Sequence, residues 1–175
     1  MPLSTLGICH QIIASIRTFK LDRLGTVNDC KVVINHLVRK FSEPLMREGR
    51  QIVYCSRSLA DGEKAIKEHL FPVNEVMNYL LALDVSGDRD KLAASIRDYL
   101  AEALVIVKVT PEEDQKLNAC GLQRAMPAAY SDPSSPLYRD PWARYKCAGI
   151  FASIDGIDAV GRAPTTARPE IPAPS

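Results

Sequence analysis

A mainly helical α+β fold is predicted by three local patterns in the 175-residue sequence. Cys30, Val33, Ile34, Leu37, Val38 and Phe41 recur at i, i+3, i+4, i+7, i+8 and i+11, the stripe of a helix that buries one face. Leu104-Val105-Ile106-Val107-Lys108-Val109 is short, aliphatic and rich in β-branched residues, the composition of a buried strand. Directly after it, Thr110-Pro111-Glu112-Glu113 supplies a threonine cap, a proline at the first helical position and a glutamate three residues after the cap. That arrangement is a capping box, and it starts a helix.

Taken in order, the first 25 residues contain Ile8-Cys9-His10-Gln11-Ile12-Ile13-Ala14-Ser15-Ile16, an apolar stretch that suits either a helix or a strand. The helix over the 30–41 stripe has Asn28 or Asp29 as its expected cap and stops near Pro44, because the residue before a proline is pushed out of helical geometry. Ile52-Val53-Tyr54-Cys55 follows a turn at 47–50 and is expected to form a strand. From Ser58 a second helix is expected, with Ile66, His69 and Leu70 on its apolar side, Gly62 as a weak point and Pro72 as its stop. Val73, Val76, Met77, Leu80 and Leu81 form a further stripe capped by Asn74, and Asp88 caps a helix that buries Leu92, Ile96, Tyr99, Leu100 and Ala103.

Gly121 is placed to end the helix that Thr110 begins. A Pro-, Ser- and Asp-rich loop runs from Met126 to Pro136, and Asp140-Pro141-Trp142-Ala143-Arg144-Tyr145 reads as a last short helix capped by Asp140. The expected organisation is one α+β domain over residues 1–158 with two or more short strands. The remaining residues, 159–175, include GRAPTTARPEIPAPS, which has four prolines in fifteen residues and no apolar periodicity, and are expected to be a disordered tail.

The net charge of +1 conceals an uneven distribution. Residues 1–60 hold nine Lys or Arg against four acids, about +5, and residues 61–120 hold twelve acids against seven bases, about −5. A basic segment suits an anionic partner, but separated charge also holds the halves of one protein together, and a dedicated nucleic-acid domain is far more basic than this. The five cysteines have no C-x-x-C pair and no regular spacing, so they are expected to be reduced thiols serving as small core residues. The N-terminus has no early basic run, no adequate apolar region and no small-residue cleavage site, and no apolar run approaches the ~18 residues of a membrane span. A cytoplasmic protein without a membrane segment is the simplest expectation.

One short motif carries chemistry. Glu68-His69-Leu70-Phe71-Pro72 has the acid, histidine and proline that open many HNH-type metal nucleases. In such a site, on a β-β-α hairpin, the histidine deprotonates water for attack on a phosphate while a divalent metal stabilises the leaving oxygen. Glu68 and His69 are therefore the candidate catalytic residues, and His69 with Asn78 is the candidate metal pair, Asn74 and Asp84 being the other downstream options. The two other histidines, His10 and His36, lie upstream, and Asp61–Lys67 reads as helical. The structural alternative, a helix-end histidine beside Ile66 with Pro72 as a helix stop, is preferred on those grounds.

The order Glu68-His69-x-x-Pro72, Val109-Thr110-Pro111-Glu112-Glu113-Asp114, Leu117, Gly121-Leu122, Met126-Pro127, Asp140, Ala143-Arg144-Tyr145 and Gly149-Ile150 resembles uncharacterised small proteins of phages and bacterial mobile elements. The resemblance covers roughly residues 50–150. It implies a phage-related or nucleic-acid-related role and assigns no catalytic residue.

Other constellations have plain structural explanations. Glu112, Glu113 and Asp114 complement the dipole of the helix whose first turn they occupy. Ser56, Ser58 and the cysteines lack an activating neighbour in sequence, and Cys9-His10 with His36 lacks metal-ligand spacing. Trp142, Arg144 and Tyr145 are the types enriched at interface hot spots and are the candidate binding residues, although the single tryptophan of a domain more often closes its core. Two functions follow: a non-catalytic interaction protein that binds a protein or nucleic acid and needs no cofactor, and an HNH-like nuclease that needs a divalent metal.

Overall fold

The computed structural model describes residues 3–155, and the expected tail at 159–175 lies outside the described residues. The fold is α+β, with helices in the majority and one three-stranded sheet. The described chain forms two compact units. One combines the residues up to Gln51 with Val76–Glu102, and the other combines Ile52–Glu75 with the residues from Ala103 onward.

In the first unit, α1 (Thr5–Lys20) packs against α2 (Val27–Arg47). The stretch that suited helix or strand is α1. Ile8, Cys9, Ile12, Ile13 and Ile16 lie on one buried side, and the Ser4 hydroxyl accepts from Gly7 N at 3.1 Å, the cap that decides for helix. The cap of α2 is Thr26 rather than Asn28 or Asp29. Its hydroxyl accepts from Asp29 N, and Asp29 Oδ2 accepts from Thr26 N at 2.7 Å, so Asp29 closes a capping box from the third helical position.

Helix α2 also runs through Pro44 to Arg47. A proline removes one backbone donor, but Pro44 sits in the last turn, and burying Pro44 and Leu45 compensates for that loss. Of the predicted α2 stripe, Cys30, Ile34, Leu37, Val38 and Phe41 are buried, while Val33 is exposed.

Helix α3 (Val73–Ala82) buries Val76 and Leu80, and its first turn opens with Glu75 N donating to Pro72 O. Pro72 thus precedes a helix instead of stopping one, and Asn74 lies inside the first turn rather than capping it. Helix α4 (Arg89–Ala103) is capped as expected by Asp88, whose Oδ1 accepts from Asp90 N and Lys91 N, both at 2.9 Å. Its buried side includes Ala93 with Ile96, Tyr99, Leu100 and Ala103, and Leu92 is half-buried. The loop between α3 and α4 is held by bases of α1: Arg17 donates to Val85 O and Gly87 O, each at 2.6 Å, and Lys20 donates to Leu83 O at 2.9 Å. Part of the basic N-terminal segment is therefore spent on carbonyls of the same chain.

The second unit contains the sheet, of order β1-β3-β2. The two expected strands form: β1 (Val53–Cys55) runs parallel to β3 (Ile106–Val109), and β2 (Ile66–His69) runs antiparallel to β3. β2 replaces the helix expected from Ser58. Asp61-Gly62 makes a turn with Gly62 at φ +85°, and after three further residues Ile66–His69 find backbone partners on β3, which short helical spacing could not reveal. The capping box of α5 (Pro111–Ala119) is present as predicted, and Gly121 at φ +69° follows it. A turn of helix, α6 (Ala128–Ser131), lies within the Pro-rich loop, and α7 (Ala143–Cys147) begins three residues after Asp140. Asp140 still works as a turn residue, its Oδ1 accepting from Trp142 N at 2.9 Å. A single 3-10 turn, Phe151–Ser153, ends the described elements.

Two of the cysteines are core residues and three are not. Cys9 and Cys30 are buried, and burial pushes the Cys9 thiol up to about 12. Cys55 is half-buried, and Cys120 and Cys147 are exposed. No described helix is long and apolar enough to cross a membrane.

Candidate functional site

The motif residues Glu68 and His69 occupy the last two positions of β2, opposite Val107 and Ile106 of β3. Alternation along a strand sends their side chains to opposite faces. Glu68 meets α7. Its Oε2 accepts from Arg144 Nη2 at 2.6 Å, and the Arg144 side chain is wholly buried while that of Glu68 is 17% exposed. The His69 carbonyl accepts from Arg144 Nη1 at 3.4 Å and from the Tyr145 hydroxyl at 3.3 Å. Beyond His69 the strand hands over to Leu70 and Phe71, whose N–H groups donate to Val105 O and Ala103 O, before α3 begins.

Short helix α7 thus works as a clamp on the end of β2. Arg144 brings a charge into the interior, and the cost of removing it from water is met by the Glu68 carboxylate and the cation's position 5.2 Å from the Tyr145 ring. Burial, more than any neighbour, raises the Tyr145 phenol above its ordinary range. Trp142 packs edge-on against Tyr54 of β1, with ring centroids 5.2 Å apart, and tilts against Tyr145 and Phe151. Its exposure is 2%. The three candidate binding residues therefore lie in the interior of the second unit, where Trp142 closes the core and Arg144 and Tyr145 hold β2.

The arrangement around His69 differs from both sequence expectations. His69 ends a strand, not a helix. That strand pairs with β3, while the preceding strand, β1, lies on the far side of β3, so the motif is not carried on a β-hairpin. Asn78 is exposed on α3 in the other unit. Among the described residues no group of three or more His, Cys, Asp or Glu is placed to hold a metal ion.

Sequence reasoning missed a second buried acid with specific partners. Glu113 Oε1 accepts from the Ser56 hydroxyl at 2.8 Å and the Ser153 hydroxyl at 2.6 Å, and its Oε2 accepts from Thr110 N at 3.0 Å. One carboxylate therefore joins the start of α5, the end of β1 and the 3-10 turn. Its place in the capping box was legible, but the two serines come from distant parts of the chain and left no signal. Ser56, considered above for nucleophilic chemistry, spends its proton on this acid.

Solvent-facing features lie on α1 and α2. Val32, with 70% of its surface exposed, and Val33, with 44%, stand beside His36 on the outer side of α2, next to a shallow groove floored by Ala14 and Ser15 of α1 and by Leu37. No family model matches this chain, and neither a curated protein nor a solved structure matches it.

Proposed function

We propose that this chain is a small, non-catalytic interaction protein of the kind found in phages and mobile elements, acting in the cytoplasm on a protein or nucleic-acid partner. The observation that carries this reading is the exposed valine pair on α2 beside the α1–α2 groove. Two adjacent β-branched residues in mid-helix lower helix propensity and gain nothing from contact with water, so a surface that retains them is suited to being covered. The engagement of Glu68 by Arg144 supports the same reading, since a carboxylate neutralised inside an ion pair is poorly available to chemistry.

The HNH-like nuclease is the second reading, and one observation favours it: His69 stands at the end of a strand that leads into a helix. Under it, Glu68 and His69 would act with a divalent metal. The discriminating experiment is incubation of DNA and RNA with the protein and added Mg²⁺, Mn²⁺ or Zn²⁺, beside the His69→Ala variant. No cleavage with any metal is the expected outcome. Robust metal-dependent cleavage that disappears in His69→Ala, with the fold intact, would replace the interaction reading by the nuclease.

A further inference from the structure

Along the outer side of α2 the exposed residues recur at helical spacing as Asp29, Val32/Val33, His36, Lys40, Glu43 and Arg47. The apolar residues sit in the N-terminal half, with an acid before them and bases after them. A helix with this order is complementary to itself when a second copy is laid antiparallel. With the two-fold axis passing between Ile34 and Asn35, Val33 of each copy meets His36 of the other, Val32 meets Leu37, and Asp29 meets Lys40. Two acid–base pairs related by the two-fold axis then flank an apolar centre, the layout of a polar rim around a dry core. Glu43 is the exception, because it faces the start of the other α2 and not a base.

Shape points the same way as charge. Val32 projects as the most exposed large apolar side chain of the described residues, and the groove beside it is floored by two small residues, Ala14 and Ser15. A ridge next to a groove on one surface is what an isologous contact needs, since each copy's ridge enters the other's groove.

We propose that the α1–α2 face is a self-association surface, on which α2 of one copy packs antiparallel on α2 of a second copy around Val32, Val33 and His36. The proposal rests on the interaction reading above and names its partner as the chain itself. Within each chain Lys40 Nζ lies 2.6 Å from Glu43 Oε1, an exposed pair of little strength, so Lys40 can turn to Asp29 of the second copy at small cost. The apolar centre is narrow compared with the ~800 Å² per partner of a standard interface. The association is therefore weak and concentration-dependent.

Sedimentation velocity of the full chain from low micromolar to near-millimolar concentration tests this, with Val32→Glu and Lys40→Glu as variants. Both positions are exposed and glutamate favours helix, so circular dichroism of the variants is expected to match the parent. The expected result is a monomer–dimer equilibrium weakened about tenfold or more by each variant. A carbodiimide cross-link between Asp29 and Lys40 should be found between chains when isotopically labelled and unlabelled protein are mixed. A monomer at every concentration overturns the proposal, and so does a dimer indifferent to both variants. Neither result bears on the interaction reading as such, which fails separately if metal-dependent cleavage is found.

Discussion

Arg144 and Glu68 show how a polar residue can be obligatory without being catalytic. Arg144 is wholly enclosed, and Glu68 is its carboxylate partner among the described residues. Glu68→Ala leaves the buried guanidinium without the Glu68 counter-charge and is expected to cost about 3–5 kcal/mol, read from urea melts. Replacing both, as Glu68→Leu with Arg144→Met, should recover much of that loss, because no uncompensated charge is then left inside. A double variant as unstable as the single one would refute this account. Asp29 is a contrasting, fully solvated case. The Thr26 hydroxyl and then the Thr26 N–H hold its carboxyl below the ordinary range. A depressed folded value stabilises the native state above the unfolded carboxylate value of about 3.9 and loses that contribution as pH falls through the lower folded value. The difference in urea midpoint between the parent and Asp29→Asn should accordingly be widest near neutrality and close in acid.

At the level of elements, local chemistry decides starts and stops better than it decides type. The Thr110 capping box was legible because both partners and the proline between them lie within four residues, and the buried Glu113 adds two serines to it. Thr110→Ala is expected to lower stability by about 1 kcal/mol or somewhat more, again by urea denaturation. An unchanged midpoint would show that the serines, not the cap, position α5. The 66–69 segment is the counter-example. Ile66, His69 and Leu70 fit a helical spacing over a single turn, too short a window to exclude a strand, and β3 supplies the pairing that makes it one. In the first 25 residues the apolar run suited either type, and Ser4 before it was the available sign of a helix start.

For the whole molecule, the division into two units raises the question of how the chain unfolds. Neither unit is a continuous stretch of sequence. The chain passes from one to the other after Gln51, within α3 and at the end of α4. Two of these passages run through helices, whose cooperative hydrogen bonding opposes separation at that point. Unfolding is therefore expected to be a single transition. The fluorescence of Trp142, the only tryptophan, reports on the second unit, and far-ultraviolet circular dichroism is dominated by α1, α2 and α4 of the first. Coincident urea curves from the two probes would establish one cooperative domain, and separated midpoints would establish two.

The sequence by itself determined the α+β class, the stripe of α2, the aliphatic strands β1 and β3, the caps at Asp88 and Thr110, and the left-handed end at Gly121. Each of these depends on residues within a turn or a few alternations of one another, so the information is local. Tertiary structure alone decided that His69 ends a strand, that Glu68 is bound by Arg144, that Glu113 gathers Ser56 and Ser153, and that Val33 of an otherwise buried stripe faces outward. Those outcomes depend on which distant segment lies opposite, and the free energy of pairing a strand edge or an enclosed charge belongs to both partners at once.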